Sequence, residues 1–197
     1  MNFDIRRLTP ELAEEYAHFF DVTPHNVGGN GCKCYCVTWR SDDSYTGNGD
    51  HWFSSAEERR ARALEFVKSG SLQGYLAYCG DEIVGWCNAN GNCRFCVDYL
   101  RSYWPIEEAR PSVRVKSVFC FVIAPELQRK GIATQLLERV CRDAAGDGFD
   151  VVEAYVNRNC METDDDCFRG PLGLYEKCGF KPCAERDGRV VVRKALK

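Results

Sequence analysis

The stretch from Ser117 to Arg142 constrains this chain most, because it passes from one apolar period to another within a few residues. Val118-Phe119-Cys120-Phe121-Val122-Ile123 is an unbroken apolar run, β-branched and aromatic, with the length of a strand buried on both faces. Ala124-Pro125 ends it, since proline offers no ladder donor. From Arg129 onward the period is helical: Ile132, Leu136, Leu137, Val140 and Ala144 share one face, while Arg129, Gln135, Glu138, Arg139 and Arg142 lie mostly away from it. The pattern predicts a strand feeding a helix whose first turn is Gln128-Arg129-Lys130-Gly131-Ile132-Ala133. A helix N-terminus carries backbone N–H groups without intrahelical partners and the positive end of the macrodipole, so it receives anions before any side chain is counted. Gly131 and Ala133 let a bulky anion approach, and Arg129 and Lys130 add positive charge, which suits a pyrophosphate.

Gln128-x-x-Gly131-x-Ala133 after a strand resembles the Gln/Arg-x-x-Gly-x-Gly/Ala acetyl-CoA motif of the GNAT superfamily of N-acetyltransferases. Gly170-Pro171-Leu172-Gly173-Leu174-Tyr175-Glu176-Lys177-Cys178-Gly179-Phe180 is similar to the late helix of that family, which typically ends Leu-Tyr-Glu-Lys-x-Gly-Phe. The two motifs stand in the family's order with a strand between them, so the resemblance covers residues 112–196; over the first 110 residues it rests on the order of elements. It implies an α/β (α+β) fold in one domain over residues 1–197, with a mixed, mostly antiparallel sheet flanked by helices and splayed central strands. The acceptor side would lie in about residues 1–111 and the acetyl-CoA side in about 112–197.

A chain of 197 residues suits one domain with a full core. A formal net charge of -3 argues against a general nucleic-acid surface. No apolar run approaches the roughly 18 residues of a membrane span, and the start Met1-Asn2-Phe3-Asp4-Ile5-Arg6 lacks the pattern of a signal peptide. The expectation is therefore a cytoplasmic protein without membrane or nucleic-acid partners, a monomer or homodimer, whose 13 cysteines are thiols by default.

Along the chain, Asn2 to Leu8 reads as a first strand, and Thr9-Pro10 as the start of a helix to about Phe20. Asp21 to Phe53 is a long segment rich in Gly, Asn, Asp and aromatics, and part of the acceptor pocket is placed there. A capping box of Ser54 and Glu57 opens a helix that closes at Gly70. Gln73 to Cys79 and Glu82 to Asn88 form a hairpin about Gly80-Asp81. Asn92 to Pro111 is aromatic and irregular, with room for a short helix. After the strand at Val113 to Ile123 and its helix to about Ala145 come a strand at Asp150 to Asn157, a polar insertion at 159–169, a short helix at Pro171 to Lys177, and a hairpin from Phe180 to Leu196 about Asp187-Gly188.

The resemblance implies acetyl transfer from acetyl-CoA to a small-molecule or peptide amine by direct attack, with no metal. Phe121, Val122 and Ile123 match the strand whose backbone pairs with pantetheine, and Gln128, Arg129, Lys130, Gly131, Ile132, Ala133 and Thr134 match the pyrophosphate turn. Tyr175 matches the frequent general acid for the leaving thiolate and is alternatively a ring packed beside the donor. Asn157 and Asn159 compete for a polar contact with the donor. No base is evident on the central strand; Glu153, Asp98 and His51 are candidates, or water serves.

Cys32-x-Cys34-x-Cys36 and Cys93-x-x-Cys96 read as buried or pocket-lining thiols, with a zinc site as the alternative. Alternate residues of a strand sit about 6.6 Å apart, whereas the sulfurs on tetrahedral zinc lie within about 3.8 Å, so the triplet would have to bend. Cys120 would touch the thioester. The aromatics Tyr35, Trp39, Tyr45, Trp52 and Trp104, with Asp42, Asp43 and Asp164 to Asp166, form either a core with a solvated rim or a receptor for a cationic amine. Two other readings stay open: an acyl-CoA-binding sensor without catalysis, and a cysteine-based zinc-binding interaction module.

Overall fold

The computed structural model describes residues 2–25, 33–45, 53–107, 112–160 and 165–197. His51, Trp52, Cys32 and Asp164 fall outside these residues, as do the side chains of Asp165 and Asp166. Seven strands, β1 (Asp4–Arg7), β2 (Gly74–Cys79), β3 (Glu82–Asn90), β4 (Val115–Ile123), β5 (Val151–Asn157), β6 (Lys181–Arg186) and β7 (Arg189–Ala195), form one sheet in the order β1-β2-β3-β4-β5-β7-β6. Every pair is antiparallel except β4 with β5, which are parallel and joined through a helix, as a parallel pair requires. The helices are α1 (Ala13–Val22), α2 (Ala56–Lys68), α3 (Arg94–Arg101), α4 (Ile132–Gly146) and α5 (Leu172–Lys177).

Two apolar layers cover the sheet. On one face α4 lays Ile132, Leu136, Leu137, Val140 and Ala144, all buried as their period predicts, against Val118, Phe121, Val152 and Ala154, and Tyr175 of α5 joins them. On the other, Tyr16, Phe19 and Phe20 of α1 and Ala63 and Val67 of α2 pack with Tyr35, Trp39, Trp86, Trp104, Phe119 and Tyr155. The cap of α2 lies one residue beyond its expected place: Ser55 Oγ accepts from the Glu58 N–H at 3.0 Å. With serine at both 54 and 55, the sequence pattern fits either position.

The centre of the sheet does not close. β4 pairs with β5 only from Val115↔Val151 to Val118↔Ala154, and past that point the strands separate. The cause lies in β4, where Asn88 of β3 faces Cys120 but Ala89 faces Val118, leaving Phe119 as an extra residue. Such a bulge turns the strand and ends its pairing. The splayed central strands and the mixed, mostly antiparallel sheet are as expected from the sequence.

Candidate active site

The opening leads to the start of α4, and here the structure corrects the expected helix boundary. Gln128-Arg129-Lys130 is not a helical turn; Gly131 is the N-cap, at φ +87°, and Arg129 also lies in the left-handed region, at φ +62°. A left-handed glycine reverses the chain sharply where a side chain would be strained, and it delivers the backbone into α4 with its amides pointing outward. The helical ladder begins with Gln135 N–H to the Gly131 carbonyl at 3.1 Å, so the N–H groups of Ile132, Ala133 and Thr134 have no intrahelical acceptor. Gln128, Arg129 and Lys130 are exposed around them, and a Cβ on Gly131 would meet only Gln135 Nε2, at 4.0 Å. A phosphate reaching this turn meets amides, the positive end of a four-turn helix, and two cationic side chains.

Phe121, Val122 and Ile123 run from the bulge toward this turn. On one side they pair with Cys87, Trp86 and Gly85 of β3; on the other they have left β5. The insertion borders the opening. Its 3-10 turn at Asp165–Arg169 packs on both β4 and β5, and between Phe168 and Leu172 the chain passes from the layer of Trp39 and Trp104 to the layer of α4. Trp39 stacks on Phe119 at 5.1 Å, and Phe119 on Tyr155 at 5.7 Å, so rings bridge β4 and β5 where their backbones part. Trp104 Nε1 donates to the Val156 carbonyl of β5 at 3.2 Å.

Tyr175 is buried, 1% exposed, between Phe121 and Phe180. Its hydroxyl donates to the Arg169 carbonyl at 2.7 Å, and burial raises its pKa well above the ordinary phenol value, so it holds its proton at neutral pH. Asn157 ends β5 half-buried, and the side chains of Asn157 and Asn159 both approach Gly188, in the β6–β7 turn. Of the candidate bases, Glu153 is 3% exposed, ion-paired with Arg193, and accepts from Tyr155 Oη at 2.8 Å. Asp98 sits on α3 between Arg94 and Arg101. Both carboxylates are thus held by arginines.

The aromatics read either as core or as a receptor for a cation divide in two. Trp39 and Trp104 do hold one, but it is the protein's own: the Arg169 guanidinium lies 5.0 Å from the Trp39 ring, 4.6 Å from Trp104 and 4.8 Å from Phe168. Tyr35 is core, and Tyr45 stacks on Phe95 at 4.1 Å. Asp42 and Asp43 do structural work, Asp42 accepting from the Phe95 N–H at 2.8 Å and Asp43 from Asn92 Nδ2 at 2.9 Å. The sequence carried no signal for Arg169, since the rings around it come from separate loops.

Several cysteines depart from expectation. Tyr35 and Cys36 adopt left-handed conformations, at φ +47° and +49°, so the chain bends between Cys34 and Cys36. Cys34 hydrogen-bonds to Cys36, and Cys36 Sγ donates to Cys120 Sγ at 3.1 Å. Cys120 thus turns toward the α1–α2 layer and packs on a thiol. Cys93 and Cys96 donate to backbone carbonyls. Among the described residues, no group of three or more His, Cys, Asp or Glu side chains is arranged to hold a metal ion. Cys160 and Cys167, expected as thiols, are joined in a disulfide within the insertion, whose turn brings their Cα atoms to 5.6 Å.

With this geometry in view, the comparisons with known proteins are specific about the family. Residues 35–180 match the model of the acetyltransferase (GNAT) family, and the chain belongs to that family. No curated protein sequence matches it. Among solved structures it is similar to a GNAT-family acetyltransferase from Streptococcus pneumoniae, at 17% identity over 100% of both chains with a TM-score of 0.54. A putative GNAT-family acetyltransferase from Desulfovibrio desulfuricans is 14% identical over 100% of both chains, with a TM-score of 0.56. The PaiA N-acetyltransferase of Thermoplasma acidophilum, solved with coenzyme A, is 16% identical over 99% of both chains, with a TM-score of 0.54. At these identities the likeness is one of fold. Among the described residues, no helix is long and apolar enough to cross a membrane.

Proposed function

We propose that this acetyltransferase moves the acetyl group of acetyl-CoA to the amine of a small molecule or peptide by direct attack. The observation that carries the reading is the continuity of the unpaired half of β4 with the open start of α4: a strand edge for an extended amide chain ends at a site for its phosphates. The coenzyme A bound by the Thermoplasma protein supports it by likeness of fold. Acetyl-CoA, as co-substrate, supplies a thioester carbonyl. The chain's part is to align that carbonyl along Phe121, Val122 and Ile123, to hold the phosphates on the N–H groups of Ile132, Ala133 and Thr134 with Gln128, Arg129 and Lys130 around them, and to exclude water with the rings of the opening.

As the C–N bond forms and the C–S bond breaks, the amine loses a proton and the sulfur takes one. Tyr175 keeps its proton at neutral pH and serves as the acid, giving up its bond to the Arg169 carbonyl as it does so. With Glu153 and Asp98 engaged by arginines, the amine enters neutral and passes its proton to water. Calorimetric titration with acetyl-CoA, with dephospho-acetyl-CoA as comparison, tests the donor. A panel of spermidine, kanamycin and a short peptide with a free N-terminus tests the acceptor. Tight binding with release of coenzyme A on one of the amines is expected. Tight binding with no turnover would make the chain a sensor, and no binding by a folded sample would overturn the assignment of the donor.

A further inference from the structure

Arg169 belongs to both layers of the molecule at once. Its side chain is 6% exposed and lies against Trp39, Trp104 and Phe168 in one layer, while its carbonyl receives the hydroxyl of Tyr175, which is packed in the other. It makes this crossing where β4 and β5 have parted. The next residue leaves little freedom: Gly170 turns the chain at φ +80°, and a Cβ there would come within 3.1 Å of Leu174 and 3.4 Å of Phe121 and Tyr175. The backbone at 169–170 is thus clamped from one side by three aromatic faces around a guanidinium and from the other by α5 and β4.

We infer that Arg169 is a positioning residue for Tyr175: its caged guanidinium fixes the carbonyl on which the phenolic hydroxyl rests, and so sets where the phenolic oxygen stands when Tyr175 turns its proton to sulfur. This rests on the acid role proposed above. At rest the hydroxyl hydrogen lies on the Arg169 carbonyl, and it reaches sulfur only by turning off that acceptor, so the placing of the carbonyl governs the step. In turnover the electron pair of the breaking C–S bond goes to sulfur, the Tyr175 O–H bond breaks, an S–H bond forms, and the phenolate recovers its proton from water. The guanidinium also favours the transient phenolate, since its charge pulls the phenol's pKa down against the larger, opposite effect of burial.

The test is a set of steady-state measurements of coenzyme A release, with acetyl-CoA and the fastest amine of the panel, on the wild type, Arg169→Gln, Arg169→Lys, Tyr175→Phe and the double variant Tyr175→Phe/Arg169→Gln. Arg169→Gln is expected to lower kcat by about tenfold with the KM for acetyl-CoA held within about twofold, Arg169→Lys to recover part of the loss, and Arg169→Gln to cost nothing further once Tyr175 is phenylalanine. Equal losses from Arg169→Gln in both backgrounds, or an unchanged kcat in the folded variant, would overturn the inference while leaving the acid role standing. Full turnover by Tyr175→Phe would instead remove the acid role, and the inference with it. If Arg169→Gln does not fold, Trp104→Phe loosens the same cage and is read by the same criteria.

Discussion

The two ends of the opening between β4 and β5 are built in opposite ways. At the α4 end the groups without helical partners are backbone amides, contributed by the consecutive residues Ile132, Ala133 and Thr134 and aimed by one left-handed glycine. At the other end the groups are side chains, Trp39, Trp104, Phe168, Arg169 and Tyr175, brought from four places in the chain and held by packing. A backbone site tolerates most changes of side chain and fails when the turn changes. A side-chain site fails wherever a single partner is lost.

Trp39→Ala should have the largest effect on stability and should break the packed end alone. It leaves a cavity beside Phe119 and opens the cage around Arg169, at a cost of about 3–5 kcal/mol. Thermal unfolding should show that loss, while acetyl-CoA still binds below the lowered Tm; lost binding by the folded variant would mean that the two ends are not separable. Gly131→Glu is the converse. The left-handed position costs a side chain about 1 kcal/mol, yet the added bulk and charge should weaken acetyl-CoA affinity by at least about 100-fold in calorimetry. Retained affinity would displace the phosphate site from this turn. Tyr175→Phe should lower kcat by about 10–100-fold with acetyl-CoA affinity nearly unchanged, which would assign the hydroxyl to the reaction rather than to donor binding.

The smallest effect concerns the paired half of β4, which carries the buried Lys116, 7% exposed, with its ammonium 3.2 Å from Gln73 Oε1 and 5.3 Å from the Phe149 ring. Burial lowers its pKa from 10.5 to about 8. Between those values the unfolded chain binds the proton more tightly than the native one, so stability rises with pH from about 8 to 10.5 and is flat below. The Lys116→Met variant should lose that rise, a difference of about 1–3 kcal/mol across the window, read as the pH dependence of chemical denaturation. An identical slope in both proteins would show that Lys116 is hydrated in the native state.

Much of the fold was legible because its signals are local. The run from Val118 to Ile123, the helical face from Ile132 to Ala144, and the turns at Gly80-Asp81 and Asp187-Gly188 fall where their periods and turn residues put them. The errors are also local and have physical causes. The start of α4 was placed too early because the motif glycine was counted inside the helix, whereas its left-handed conformation makes it the residue that stops the approach. Strand geometry alone would keep Cys34 and Cys36 apart, but left-handed Tyr35 and Cys36 bring these two thiols together and Cys36 onto Cys120.

Sequence alone determined the apolar strand and the helical face that follows it, since periodicity acts between near neighbours. Tertiary structure alone decided that β4 parts from β5 after a bulge at Phe119, that the insertion packs on both strands, and that the Arg169 guanidinium sits in an aromatic cage while its carbonyl accepts from Tyr175. Those contacts join residues far apart in the chain, and no local preference of an arginine, a tryptophan or a tyrosine says which of the others it will meet.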